Sequence, residues 1–208
     1  KINPKKFLHQ IPHISFVWGE EDSIFLKKRF NLLSNLNSFS DMEFTTDKDE
    51  LNEWIPLVIE GRPSSQKVSA TRIKRGTDVD FGELTKAYLD PLLKDKFIEF
   101  KTLTEVTNMN QNKNGVWRIQ LQEKENSYEI ESNFIFLGAG GGALPLLQKS
   151  AIPESKGYAG FPVSGQWLVC SNKDLVEQHH AKVYGKAKVG SPPMSVPHLD
   201  SRWISGKK

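Results

Sequence analysis

The residues most suggestive of chemistry are the glycines of segment 138–142, which separate an apolar run at 134–137 from a short helical pattern at 143–149. A buried strand that runs directly into glycines and a helix lets backbone N–H groups approach a phosphate closely. The spacing therefore predicts a contact with a nucleotide. The candidate residues are Gly138, Ala139, Gly140 and Gly141.

This glycine turn lacks one part of a complete dinucleotide fingerprint. A G-x-G-x-x-A match is a moderate indication by itself, and a full fingerprint adds an acidic residue about 20 positions later. Here residues 156–160 read Lys-Gly-Tyr-Ala-Gly. We therefore expect a supporting nucleotide contact and not the primary one. The alternative is a tight turn in which the glycines serve only close packing.

The pattern of strands and helices expected around this turn predicts a mixed α+β and α/β fold. Strands are expected from alternating or continuous apolar residues, at 14–18, 66–72, 97–100, 104–109, 116–121, 128–137, 167–170 and 181–184. The run at 134–137 suits a strand buried on both faces of a mainly parallel sheet. Helices are expected to begin at caps, namely Asp22 or Ser23, Asp47 and Asp80, and to cover 143–149 and 173–179. Asp78 is interpreted as a turn residue.

Composition excludes several classes of protein. With 208 residues, 38% of them hydrophobic, the chain can bury a sizeable core. The net charge is +3 with both signs interspersed, so we expect no nucleic-acid partner. No apolar stretch reaches the roughly 18–20 residues that cross a bilayer, so a membrane role would be peripheral. The lone Cys170 excludes an internal disulfide.

Five separated motifs lie along the chain. They are P-H-I-S-F-V-W-G at 12–19, G-T-D-V-D-F-G-E-L-T at 76–85, G-A-G-G at 138–141, Y-A-G-F-P-V at 158–163 and P-P-M-S-V-P-H at 192–198. Together they resemble malate:quinone oxidoreductases, and motifs in a shared order are far more specific than any one of them. The resemblance covers the middle part of that family's longer chain, so we expect an internal fragment.

The resemblance implies an enzyme similar in fold to D-amino-acid-oxidase-like flavoproteins, with FAD held non-covalently. Such an enzyme oxidises (S)-malate to oxaloacetate in the tricarboxylic acid cycle and passes the electrons to a membrane quinone. It implies a bacterial cytoplasmic location, peripheral at the inner face of the cell membrane, with membrane contact through parts of the family's chain outside these residues. The family's N-terminal G-x-G-x-x-G is absent here, so the fragment alone is expected to be inactive.

The same resemblance divides the chain between two domains, a Rossmann-like FAD-binding domain and a mixed-sheet substrate domain. We expect residues 1–75 in the substrate domain, 76–150 in the FAD-binding domain and 151–208 in a return toward the substrate domain. In such folds a strand of the flavin domain supplies a backbone contact to adenine. Segment 105–107 resembles that strand, with Val106 as the contact.

Malate oxidation needs a base for the C2 hydroxyl proton and cations for two carboxylates. His198 is the expected base, because the prolines within 192–197 would stiffen its approach. Arg202, four residues on, is the expected carboxylate clamp. The alternative is a surface loop with an incidental histidine.

Two further residues are candidates for substrate binding. Arg72 is expected on the same side of its strand as Val68 and Ala70. An arginine on a buried face usually has an anionic partner, which could be the substrate or an internal carboxylate. His13 follows Pro12 in a similarly stiffened approach, although a structural histidine bonded at a strand start explains it equally well.

No metal site is predicted, because the adjacent His179 and His180 diverge on a helix. Two other functions remain open. One is a related flavin-dependent oxidase of 2-hydroxy acids or amino acids that uses oxygen in place of quinone. The other is a subdomain that binds partners without chemistry.

Overall fold

The structure, a computed structural model, describes residues 2–162, 165–192 and 195–208, which form two compact units. The first unit comprises Lys1–Asp95 and Leu168–Lys208, and the second comprises Lys96–Trp167. The chain therefore leaves the first unit once and later returns to it. These limits differ from the domain limits expected after residues 75 and 150, and the assignment of flavin and substrate domains stays a prediction.

Five strands form the main sheet of the first unit. In order across the sheet they are β10 (His198–Asp200), β9 (Lys182–Tyr184), β2 (His13–Trp18), β4 (Val68–Ile73) and β3 (Glu43–Thr45). β9 runs parallel to β2, and the other neighbours are antiparallel. A separate antiparallel pair joins β1 (Leu8–Gln10) to β5 (Thr77–Val79). The sheet thus combines early and late parts of the chain.

The alternation of β2 explains which face of this sheet is buried in the core. Ile14 and Phe16 lie on one side, where they pack with apolar residues of the neighbouring strands and of α2 (Lys48–Trp54). The buried cluster consists of Ile14, Phe16, Leu51, Trp54, Ile55, Val68, Ala70, Ala181 and Val183. The other side of β2 carries His13 and Ser15, so polar groups gather on that face.

Two helices begin at the caps that the sequence predicts. Asp47 caps α2 by accepting from the amides of Asp49 and Glu50, at 2.8 and 3.1 Å. Asp80 caps α4 (Phe81–Leu92) by accepting from the amide of Glu83 at 3.1 Å. The α-helices of the described residues are α1 (Glu20–Leu33), α2, α3 (Pro56–Ile59), α4, α5 (Ala143–Lys149) and α6 (Lys173–Gln178). None of them has the length and apolar character that crossing a membrane requires.

The predicted cap of α1 at Asp22 or Ser23 is wrong. The helix begins at Glu20, directly after Gly19, whose φ of +88° ends β2. Glycine adopts such a φ without steric penalty, so the chain turns from strand to helix at one residue. Asp22 lies instead in the first turn, where a negative charge favours the helix N-terminus, and its carboxylate pairs with Lys186 at 2.7 Å.

An antiparallel meander forms the sheet of the second unit. Its strands, in order, are β6 (Thr104–Gln111), β7 (Trp117–Glu123) and β8 (Asn126–Ser132). Residues 112–115 form the turn between β6 and β7, where the Asn112 side chain accepts from the amides of Asn114 and Val116, at 2.9 and 3.1 Å. The predicted helices at 143–149 and 173–179 are confirmed as α5 and α6.

Three predicted strand segments are wrong, since 97–100, 134–137 and 167–170 form no strand in the structure. β8 ends at Ser132, whose hydroxyl accepts from the Phe134 amide at 3.2 Å and donates to the Phe134 carbonyl at 2.7 Å. These bonds replace ladder pairing with a local turn. Phe134 and Phe136 are 75% and 85% exposed. The described residues offer this apolar run no neighbouring strand, so its backbone does not pair in a sheet.

Asp47→Ala is expected to lower the free energy of unfolding by about 1 kcal/mol, because two amides at the start of α2 lose their acceptor. Asp49→Ala is the matched control, since it removes a carboxylate from the same turn without removing a cap bond. We expect the control to lose only about 0.3–0.5 kcal/mol. Chemical denaturation measures both values, and equal losses would show that charge and not capping stabilises this turn.

Candidate functional site

Strand register brings chemistry-bearing residues of the first unit to one side of its sheet. His13 of β2 lies opposite Lys182 of β9, which lies opposite Asp200 of β10. Two residues further along, Ser15 lies opposite Tyr184, which lies opposite His198. Directly opposed residues in neighbouring strands share a face. We call this side the polar face, defined by His13, Ser15, Lys182, Tyr184, His198 and Asp200.

Tyr184 lies between two imidazoles on the polar face. Its ring centroid is 6.4 Å from that of His13 and 5.4 Å from that of His198. Burial is the main effect that raises the pKa of the Tyr184 hydroxyl above its ordinary value of 10.0, and the carboxylate of Asp200 adds to it. The phenol therefore stays neutral at physiological pH and is available as a hydrogen-bond donor.

The two histidines differ in their surroundings. His13 is half-buried, and its Nε2 donates to the Thr77 carbonyl at 3.1 Å when that nitrogen carries the proton. Gly76 permits this approach, because a Cβ at that position would overlap the His13 ring and the Ile11 carbonyl. His198 is exposed on β10, an edge strand of the sheet. His13 is thus anchored as a strand-start histidine would be, whereas His198 is accessible.

Of the stiff approach predicted before His198, Pro193 and Met194 lie outside the described residues. The same holds for Val163, the last residue of the motif at 158–163. The predicted stiffening therefore stays a prediction. What the structure shows is that pairing with β9 fixes the backbone at His198.

Arg202 interacts with a buried carboxylate through one side of its guanidinium. Its Nε lies 3.3 Å from Oδ1 of Asp78, in a geometry that forms no hydrogen bond. The side chain is 39% exposed, and its terminal nitrogens bond to no group in the part of the chain that the structure describes. The outer side of the guanidinium is therefore open to an anion.

Asp78, Lys182 and Asp200 form a buried charge cluster beside Arg202. Lys182 Nζ lies 2.7 Å from Asp78 Oδ1 and 3.6 Å from Asp200 Oδ2, and these three side chains are 7% exposed or less. Burial alone would raise the pKa of the Asp78 carboxyl, but Lys182, the Trp203 amide and Arg202 outweigh burial and lower that pKa. Asp78 is therefore ionised at neutral pH. In the described ranges, no group of three or more His, Cys, Asp or Glu residues is suited to a metal ion.

Sequence reasoning missed four residues of this site, namely Asp78, Lys182, Tyr184 and Asp200. The interpretation of Asp78 as a turn residue is wrong, because it is the central residue of β5 and is 2% exposed. An indication was available for two of the others. Lys182 and Tyr184 flank Val183 in a predicted strand, and that alternation places two polar residues on the face opposite an apolar one.

The structure places Arg72 on the other side of the sheet. It lies opposite Ile14, and its guanidinium stacks on Trp54 at 3.6 Å from the ring centroid. Its Nε lies 2.6 Å from Glu43 Oε2, and this hydrogen bond is the largest effect that lowers the pKa of the Glu43 carboxyl. Arg72 therefore has an internal anionic partner and is not brought together with the polar face.

The glycine turn lies in the second unit, and all four of its candidate residues, 138–141, are exposed. Gly140, with a φ of +53°, opens a 3-10 turn that leads into α5. A Cβ added at Gly140 or Gly141 would meet no atom within 4 Å. Close packing among the described residues does not explain these glycines, and the space beside them is open, as a phosphate contact requires.

Val106 lies in β6, an edge strand of the meander. The register shifts between Val106 and Asn108, so Thr107 bulges out of the ladder. The Thr107 carbonyl accepts from Lys149 Nζ at 2.9 Å, which joins β6 to the end of α5. The structure thus places the two predicted cofactor contacts, the glycine turn and Val106, in one compact unit.

Comparison with known proteins identifies the family to which this chain belongs. The family model described as malate:quinone oxidoreductase matches residues 1–208, the whole sequence. The chain belongs to this family. Among curated malate:quinone oxidoreductase relatives, each described as probable, one from Prochlorococcus marinus (strain MIT 9211) is 57% identical and one from Bacillus cytotoxicus is 52% identical. The alignments cover 100% and 99% of this chain but 42% and 41% of those proteins. The chain therefore spans less than half of their length.

A solved flavoenzyme has a similar fold. It is described as dithionite-reduced L-alpha-glycerophosphate oxidase from Mycoplasma pneumoniae with FAD bound, and it matches with a TM-score of 0.51. The match covers 69% of this chain and 36% of that chain at 16% identity. At such an identity the likeness concerns the fold alone. The mixed α/β fold expected for a fragment of this oxidoreductase family is confirmed.

His179 supports β10 from its position after α6. The ring is 6% exposed, and its Nε2 donates to the Leu199 carbonyl at 3.0 Å, next to His198. Ser201 Oγ donates to the His179 carbonyl at 2.6 Å. Burial is the largest effect on the ring and lowers the pKa of His179 below 6.5. The neutral ring is therefore part of what holds the strand that carries His198.

Acidification is expected to destabilise the protein below about pH 6.5, the ordinary pKa of an unfolded histidine. Because the pKa of His179 is lowered on folding, the unfolded state binds this proton more readily. The stability from the neutral ring is present above that pH and is lost as the pH falls toward the folded-state pKa. Thermal unfolding across this window measures the loss. His179→Gln should flatten the profile, whereas the exposed control His180→Gln should not; an unchanged profile in His179→Gln contradicts the assignment.

Proposed function

We propose that these residues are part of a longer enzyme that oxidises (S)-malate to oxaloacetate, with FAD as the first electron acceptor and a membrane quinone as the second. The match of the malate:quinone oxidoreductase family over residues 1–208 carries the proposal. The reaction is a step of the tricarboxylic acid cycle. Since quinone dissolves in the bilayer, we place the enzyme peripherally at the inner face of a bacterial membrane, with membrane contact through parts of the family's chain outside these residues.

His198 is assigned as the base that takes the C2 hydroxyl proton of malate. Its imidazole is exposed on β10 and lies beside the neutral phenol of Tyr184, with ring centroids 5.4 Å apart. The phenol borders one side of the imidazole and can donate its hydroxyl to a substrate oxygen. His13, on the other side of Tyr184, is assigned as a further substrate contact.

Arg202 is assigned as the clamp for one malate carboxylate. A planar guanidinium meets a carboxylate through two parallel hydrogen bonds. Nε of Arg202 faces Asp78, while the outer nitrogens bond to no described group. Arg72 does not support this assignment, because Glu43 and Trp54 occupy it on the opposite face.

FAD, when bound, supplies the hydride acceptor. The second unit is assigned a supporting contact with the nucleotide part of FAD. The open space beside the turn at Gly140 and Gly141 supports this assignment. The edge strand β6 leaves one side of its backbone unpaired within the meander, which suits the assigned adenine contact at Val106. The principal flavin-binding residues are assigned to parts of the family's chain outside these residues.

In the full-length enzyme, His198→Gln is expected to lower malate-dependent quinone reduction by at least about 100-fold, the lower end of what a positioned base contributes. Flavin content and melting temperature should stay unchanged. His180→Gln is the control, since His180 is exposed and lies outside the polar face. Near-normal turnover in His198→Gln would remove this residue from the mechanism. Hydrogen peroxide formed in proportion to malate consumed, without quinone reduction, would favour an oxygen-using oxidase.

Gly140→Val is expected to lower the flavin content of the purified full-length enzyme severalfold, because a branched side chain would fill the open space beside the turn amides. Gly157→Val is the matched control. Gly157 also has a positive φ, of +83°, and also meets nothing within 4 Å, but it lies outside the turn. Absorbance of the bound flavin per protein measures the effect. Equal flavin loss in both variants would attribute it to backbone strain, and unchanged content in Gly140→Val would discard the contact.

A further inference from the structure

We propose that Lys182 is a positioning residue, which keeps the guanidinium of Arg202 available to a substrate carboxylate by occupying the carboxylate of Asp78. The proposal rests on the proposed function, since it concerns how the assigned clamp is held. Lys182 itself is buried, with its side chain 7% exposed, and is assigned no direct contact with the substrate. Lys182 acts on Arg202 through Asp78, the carboxylate beside which both cations lie.

The oxygens of Asp78 are already in use. Oδ1 lies 2.7 Å from Lys182 Nζ and 3.3 Å from Arg202 Nε, and Oδ2 accepts from the Trp203 amide at 2.9 Å. Each oxygen therefore already has a donor other than Arg202, and Lys182 competes with Arg202 for Oδ1. Arg202 therefore forms an ion pair with Asp78 but no hydrogen bond to it through Nε.

Another arginine of this chain, Arg75, forms a bidentate pair with a carboxylate. Arg75 binds Asp41 through Nε at 2.7 Å and Nη2 at 3.0 Å, so each carboxylate oxygen receives one guanidinium nitrogen. Such a bidentate pair uses the side of the guanidinium that would otherwise meet a substrate. If Lys182 released Oδ1, Arg202 could form the same pairing with Asp78, because Oδ2 can accept a second hydrogen bond beside that of the Trp203 amide.

Two carboxylates hold the side chain of Lys182 in place. Its side chain is 7% exposed, and Nζ lies between Asp78 and Asp200, at 2.7 and 3.6 Å. The four charges of Asp78, Asp200, Lys182 and Arg202 sum to zero. Without Lys182, Arg202 would be the remaining cation beside the buried carboxylate of Asp78, and electrostatics would draw the guanidinium inward, away from the exposed side.

The test is Lys182→Met in the full-length enzyme, with malate-dependent quinone reduction followed over a range of malate concentrations. We expect KM for malate to rise about tenfold or more, which corresponds to the loss of a hydrogen bond to a charged group, with kcat changed less than about twofold. Lys67→Met is the matched control, because Lys67 also pairs with a carboxylate, Glu20, but both side chains are exposed. Its KM should equal that of the wild type.

A double-mutant cycle shows whether Lys182 acts through Arg202. Arg202→Lys keeps the charge but loses the planar fork, and we expect it to raise KM by a similar factor. If the two residues act as one unit, Lys182→Met should add little to the effect of Arg202→Lys. Independent, multiplicative effects on KM would overturn the proposal.

Several outcomes separate this proposal from its alternatives. An unchanged KM in Lys182→Met, or a fall in kcat with KM unaltered, would overturn it while leaving the proposed function in place. A wild-type enzyme that does not oxidise malate would overturn both. If Lys182→Met does not accumulate as folded flavoprotein, Lys182→Gln is assayed in its place. Its amide can still donate to Asp78 but carries no charge, so KM for malate should rise severalfold, and a wild-type KM would overturn the proposal.

Discussion

The ion pair between Lys182 and Asp78 connects parts of the first unit that are far apart in sequence. Buried charges are stable only when partners and hydrogen bonds replace the lost hydration. Asp78 meets this condition with Lys182 from β9 and the Trp203 amide from the segment after β10. Asp80 adds a second bond to that segment through the Gly206 amide at 2.8 Å. The strand β5, the strand β9 and the chain after β10 therefore depend on one another.

Several local features of the fold could be predicted from the sequence because their causes are local. Asp47 and Asp80 cap helices through amides two or three residues away, and the alternation in β2 and β4 follows from the pleat. The strand at 134–137 could not be judged in this way. An apolar run becomes a strand only where neighbours accept its backbone bonds, and no described strand does so here.

For the candidate site as well, the sequence identified individual residues, whereas the contacts between distant strands could not be predicted. His13, His198 and Arg202 were identified by residue type and by their motifs, and the structure brings the two histidines to one face with Tyr184 between them. Arg72 was placed correctly beside Val68 and Ala70. That Glu43 and Trp54 are the partners of Arg72 on this buried face, however, depends on packing against β3 and α2, a tertiary event. The burial of Lys182 with Asp78 could not be predicted from the sequence either, because their ion pair joins two strands that are far apart in the chain.

The parallel pairing of β2 with β9 has a consequence for synthesis on the ribosome. The β9 side of β2, including His13, finds its partner only when Lys182 has left the exit tunnel. By then the whole second unit, Lys96–Trp167, has been translated. During that interval β2 presents unpaired amides and carbonyls, which is the arrangement that recruits foreign strands. The nascent chain therefore carries one unpaired side of β2 throughout the synthesis of the second unit.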